Sequence, residues 1–234
     1  MREVYELRRY EQRFGSQGDR LERFLADAAI PAWNRAGLGP VGVFTSLLGA
    51  EIPSTYVLVP APSLEALVAA RSRLAADPEY LEAGKAFLSA AVTDPAFDRL
   101  ESTLLVAFRE LPTLERPLAT GTTRPRVFEL RRYESHSEAA LTAKIGMFNS
   151  AELGIFRRIG LRPVFFGEAL IGPRLPNLTY LLVFDSVADR EARWAAFRAD
   201  PEWQRLLATP GLGNAEILTR TQSVLLAPAA CSEL

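Results

Sequence analysis

The chain has 234 residues, 48% hydrophobic and 24% charged, an ordinary globular balance with room for one large domain or two of about 115 residues. A net charge of −1 leaves no basic stripe for nucleic acid and no broad attraction to anionic lipid. The longest apolar run, residues 104–108, is far short of the ~20 residues that span a bilayer, and the single Cys231 allows neither an internal disulfide nor a metal site.

Residues 4–10 alternate in side-chain type and predict a strand. Residues 19–36 carry Leu21, Phe24, Leu25, Ala28 and Ala32 at helical spacing; Pro31 lacks the N–H for its i−4 bond and is expected to bend or divide the helix. Gly37 stops it. Strands are expected over residues 40–48 and 56–59. A second helix starts at Ser63, Asp77 caps a further short helix with Pro78 in its first turn, and a strand over residues 103–108 closes the unit. Residues 111–125, rich in Pro, Thr and Gly, read as a linker. The same order then returns. After a strand from Val127 comes a helical stripe of Leu141, Ile145, Phe148, Ile155 and Ile159, stopped by Gly160. Strands follow over 163–171 and 180–184, then a helix from Ser186 with Asp189 placed as in a capping box, the pair Asp200-Pro201, and a strand over 223–226.

The recurrence is written in the letters. VYELRRYE at Val4–Glu11 returns as VFELRRYE at Val127–Glu134, an offset of 123. GLGPV (37–41) meets GLRPV (160–164), ADPEY (76–80) meets ADPEW (199–203), and STYVLV (54–59) meets LTYLLV (178–183) with a one-residue adjustment. A period above 100 residues is a doubled domain rather than a solenoid. Each unit reads strand, helix, strand, strand, helix, strand, which is the ferredoxin-like βαββαβ order. The expected fold class is α+β: two tandem units, residues 1–110 and 126–234, that cover each other's open sheet face as a pseudo-symmetric barrel.

VFELRRYES, GLRPVFFGEALIG and LTYLLVFDSVADREARWAAFRADPEWQRLL resemble the NIPSNAP family, of the dimeric alpha–beta barrel superfamily. The resemblance covers nearly the whole chain as two units and is stronger in the second. In the first, Trp194 is replaced by Ala70 or Arg71, depending on where a gap falls. The resemblance implies an intramolecular version of that barrel. It implies no defined reaction, because the superfamily spans haem-degrading and cofactor-independent monooxygenases, haem enzymes, isomerases and members without known activity.

Alternation puts Glu6, Arg8 and Tyr10 on one strand face and Tyr5, Leu7 and Arg9 on the other; Glu129, Arg131 and Tyr133 repeat the first set. The Tyr5/Phe128 and Leu7/Leu130 series is the more apolar and is expected to face the helices, so the Glu-Arg-Tyr face is expected inside the barrel. There it is either a paired network docking the halves or a polar ligand anchor. Trp194 and Phe166 belong to an aromatic set of the second half that is either core or the lining of a flat apolar ligand. Asn34 and Asn149 read as surface or capping residues. The lone His136 sits in a loop, and the stretch DREAR (189–193) reads as a solvated helix face. No cofactor, metal, nucleic acid or membrane insertion is expected, and the location is expected to be cytoplasmic. The partners left open are a small hydrophobic molecule and a second copy of the chain. Three roles follow: a scaffold, a small apolar-ligand binding protein, or a cofactor-independent monooxygenase or isomerase acting on such a ligand, with at most one competent site, in the second half.

Overall fold

A computed structural model describes residues 1–49, 52–117 and 126–234. In the first half β1 (Val4–Glu11) leads into α1 (Ser16–Phe24), a π-helical turn at Leu25–Ala29 and α2 (Ile30–Arg35). Then come β2 (Gly42–Leu48), β3 (Ser54–Ala61), α3 (Leu64–Ala75), the short α4 (Pro78–Ala83) and α5 (Lys85–Leu88), and β4 (Arg99–Ala107). The second half repeats this with β5 (Val127–Glu134), α6 (Glu138–Met147), a π turn at Phe148–Glu152 and α7 (Leu153–Ile159). It continues with β6 (Arg162–Ile171), β7 (Asn177–Phe184), α8 (Val187–Ala199), α9 (Pro201–Leu207), α10 (Asn214–Ile217) and β8 (Arg220–Pro228).

The local signals are honoured. Gly37 and Gly160 end their helices at φ 82° and 81°. The Ser63 and Ser186 hydroxyls accept from the backbone three residues on, and Asp77 and Asp200 each accept two first-turn amides behind their prolines. The π turn occurs in both halves, although Gly154 stands in the second where Pro31 stands in the first. Pro31 is therefore not its cause.

Eight strands close one barrel in the order β1-β3-β2-β8-β5-β7-β6-β4, with antiparallel β2·β8 and β4·β6 joining the halves. Each half is a ferredoxin-like sheet with its helices outside, so the expected α+β fold is the one observed. Residues 111–117 of the expected linker start out packed: Leu111 is buried and the Glu115 amide donates to the Val164 carbonyl at 2.9 Å. Residues 118–125 lie outside the described residues.

Two sequence expectations are corrected. Arg8 pairs with Val57 across β1·β3, and Arg131 with Tyr180 across β5·β7, so the offset of 123 holds without the one-residue adjustment. The letters had matched Tyr180 with Tyr56; in space Tyr56 faces the barrel and Tyr180 faces the helices. The strand faces are also reversed. Tyr5, Leu7, Phe128 and Leu130 belong to the barrel interior, whereas Tyr10 and Tyr133 pack with helical side chains. In a closed barrel the interior is the drier of the two buried layers, so it takes the apolar series, and Glu6, Arg8, Glu129 and Arg131 turn to the helix–sheet clefts.

The interior is filled by side chains from both halves. Tyr5 meets Phe165 at 5.2 Å between ring centroids and Phe44 meets Phe128 at 4.7 Å. Large and small residues exchange places between the copies: Gly42 corresponds to Phe165, and Phe44 to Gly167. A Cβ on Gly167 would lie 2.8 Å from the Leu105 Cβ, across the β4·β6 seam. Gly167→Ala is therefore expected to destabilise the fold by about 1–3 kcal/mol, measured as the urea midpoint at unchanged slope.

Candidate functional site

In the second half α6, α7, α8 and α9 lie over the outer face of β5, β6 and β7, and between helices and sheet a cavity of about 430 Å³ opens to solvent. Its lining includes Arg131, Tyr133, Lys144, Glu152, Arg190, Trp194 and Trp203.

Glu129 anchors one wall. Its side chain is wholly buried and accepts five hydrogen bonds from four side chains. Arg131 Nη1 donates at 2.7 Å, Arg190 Nε and Nη2 at 2.9 and 2.6 Å, Trp194 Nε1 at 2.7 Å and Ser223 Oγ at 2.5 Å. Burial alone would raise its pKa, but the bond from Arg190, the charge of Arg131 and the bonds from Ser223 and Trp194 hold it below the usual carboxylate range. Arg131 then stacks on Trp194, 4.6 Å to the ring centroid, and on Tyr133 at 5.5 Å.

The floor is a second ion pair. Lys144 Nζ donates to Glu152 Oε2 at 2.8 Å, with both side chains at 2% exposure or less. Phe148, Trp203 and Tyr133 surround the ammonium at 4.8, 5.1 and 5.7 Å. Burial pushes the Glu152 carboxyl above the usual carboxylate range in spite of Lys144. The π turn is what lets the two meet. Residues i and i+8 of a straight α-helix point about 80° apart, and the wide turn between α6 and α7 rotates Glu152 back over Lys144. Beside them the Tyr133 and Tyr180 hydroxyls are 2.8 Å apart, and burial pushes the Tyr180 hydroxyl well above its ordinary range.

The first half keeps only the inner part of this arrangement. Arg8 Nη2 donates to Glu6 Oε2 and Ser102 Oγ to Glu6 Oε1, both at 2.9 Å, and the Arg8 guanidinium lies 5.1 Å from the Trp33 ring. Where the second half has Lys144, Glu152, Arg190 and Tyr180, the first has Leu21, Ala29, Leu67 and Val57, all buried in one apolar cluster. Helix caps at Ser63 and Ser186 settle the counterpart of Trp194 as Arg71, which is exposed.

The sequence candidates thus divide. Glu129, Arg131, Tyr133 and Trp194 are brought together at the cavity; Phe166 lies behind it, stacked on Tyr180 at 4.4 Å. Glu6, Arg8 and Tyr10 form the reduced counterpart. Asn34 binds Glu233 and Asn149 receives the Glu110 amide, both structural roles, and His136 is exposed. The sequence reading missed Lys144, Glu152, Arg190 and Ser223. Arg190 overturns part of the DREAR reading, although Asp189 and Arg193 do form the expected i,i+4 pair at 3.0 Å. Comparing the copies at the fixed offset, charged against Leu or Ala, would have flagged Lys144 and Glu152. Among the described residues no group of His, Cys, Asp and Glu could hold a metal, and no helix is long and apolar enough to cross a membrane.

The profile of the NIPSNAP family matches residues 5–111 and again 128–233. The chain belongs to the NIPSNAP family. An uncharacterized NIPSNAP-like domain protein from Burkholderia xenovorans is 24% identical over 46% of this chain and 88% of its own, with a TM-score of 0.41. Over nearly the full length, a candidate monooxygenase from Fusobacterium nucleatum aligns at 7% identity, covering 97% of this chain and 92% of its own at TM-score 0.61. An anthrone oxidase-like protein does so at 12% identity, covering 98% and 92% at TM-score 0.55. These two show a shared barrel fold. Among curated proteins none matches. This NIPSNAP chain therefore carries both family repeats within a single closed barrel.

Removing the Glu129 charge leaves Arg131 and Arg190 without their shared partner. Glu129→Gln is expected to cost about 3–5 kcal/mol in chemical denaturation. The pKa of Glu129 is lowered on folding, so its stabilisation is full above the ordinary carboxylate range and fades as pH falls through the lower folded value. The acid limb of the melting temperature should accordingly be shallower in Glu129→Gln than in the wild type.

Proposed function

We propose that this NIPSNAP protein is a small-molecule binding protein whose one competent site is the helix–sheet cleft of the second half. The observation that carries the reading is the difference between the two copies. Both fold the same way, yet only the second places a buried Lys-Glu pair, two clamped arginines and two tryptophans around an open cavity. Where the first copy serves the fold with Leu21, Ala29 and Leu67, charges add nothing that packing needs. A buried ion pair is commonly no more stabilising than apolar residues of similar volume. The cavity volume falls in the range usual for small ligands, and its lining combines aromatic rings with charged groups that can orient one.

A second reading is catalysis on the bound molecule, as a cofactor-independent monooxygenase or isomerase. Glu152 favours it, since burial has moved its carboxyl toward the range a proton-transfer group needs. The oxidase-related names of two structural neighbours agree with it, but at such identity fold alone carries no reaction.

Native and denaturing mass spectrometry of the purified protein tests the binding reading, together with a thermal-shift screen of small aromatic and aliphatic molecules. A discrete mass released on denaturation, or a shift from one compound, is expected. Trp194→Ala should abolish it and Arg71→Ala should not. Equal effects of the two variants, or no ligand by either method, would leave the scaffold role.

A further inference from the structure

Resting on the cleft reading above, we infer the chemical class of the ligand: a flat aromatic monoanion, its carboxylate seated on Arg131 and its ring against Trp203. The charge pattern of the walls points there. Lys144 and Glu152 neutralise each other at the floor. Glu129 is fully covered by its donors, so it offers the cavity no oxygen. What faces the cavity from that wall is the outer side of the Arg131 and Arg190 guanidinium groups, two cations sharing one buried carboxylate. Glu191 engages Arg190 from the solvent side, leaving Arg131 as the less compensated of the two. Arg198, exposed at the lip, adds a further positive charge along the entrance.

The rest of the lining limits the body of the ligand. Trp194 is already covered on one side by Arg131, and Trp203 is packed by Lys144 and Phe197, so the apolar lining left to a ligand is the cavity-facing edge of Trp203 with Phe197 and Leu207. A planar ring system lying against these apolar edges gains dispersion without demanding further polar partners. The cavity of about 430 Å³ bounds its size to a small ring system. The guanidinium supplies planar, paired donors, a geometry that suits a carboxylate.

Calorimetric titration of the full chain with 2-naphthoate and with 2-naphthamide, its neutral counterpart, tests the class. The acid is expected to bind at least tenfold more tightly, with the gap narrowing as salt is raised. Arg131→Met should remove the gap, bringing the acid's affinity down to that of the amide. Should that variant not fold, Arg198→Ala at the exposed lip should still reduce the acid's advantage. Equal binding of acid and amide would overturn the anion preference while the cleft remained a binding site. Binding of neither would overturn the flat aromatic anion as occupant. A co-purified ligand of other chemistry, found by mass spectrometry, would then still support the cleft reading on its own.

Discussion

Everything distinctive about this molecule follows from the closure of its barrel around a dry interior. Once Tyr5, Phe44, Phe128 and Phe165 fill the space between the halves, no polar side chain on a central strand can turn inward except at the barrel mouth. There Arg9 finds Glu11 and Glu101 at 2.6 and 2.9 Å. Arg132 and Glu134 repeat that inward pair in the second half, at 3.6 Å, and the remaining charged groups of the repeated segment, Glu6, Arg8, Glu129 and Arg131, point at the helices. The helix layer, unlike the barrel, can be pried open at one place without breaking a strand ladder. Barrel closure thus fixes where a site can form before any site residue is chosen.

The duplication then works as an internal control on what the fold requires. Both copies keep Glu, Arg, Tyr and a facing Ser at matching registers, so that inner network belongs to the architecture. Lys144, Glu152, Arg190 and Trp194 belong to one copy only. Their desolvation is costly, and Leu21, Ala29 and Leu67 accomplish the same packing without it. Residues that burden the fold in one copy and are dispensable in the other are where function is to be sought.

Much of the architecture was legible in the letters. A fixed offset, two glycine stops and two Asp-Pro caps are local signals whose physics does not depend on tertiary context, and each appears where expected. Three readings depended on context and went astray. Alternation gives two faces of β1 and β5 but not which is inner, because both are buried in a covered barrel. Letter similarity drew Tyr180 onto Tyr56, although ladder register, set by Arg131, requires Val57. Arg190 looked solvated within DREAR, since nothing local reveals that Glu129 lies beneath it, 61 residues earlier in the chain.

Lys144 and Glu152 show the deeper limit. At a separation of eight residues they lie about 80° apart on a straight α-helix, so periodicity alone does not bring their side chains together. The backbone supplies the relation through a π turn, and it does so in both copies, with Pro31 in one and Gly154 in the other. In the first copy the turn merely brings Leu21 and Ala29 onto the buried side. In the second it converts the same geometry into a closed ion pair beneath three aromatic rings. The scaffold thus offers both clefts the same aligned pair of positions, and side-chain identity alone decides which becomes a polar pocket. A site built this way can be gained or lost by a few substitutions with the barrel left intact, which explains how two halves with the same strand register come to differ so sharply in their clefts.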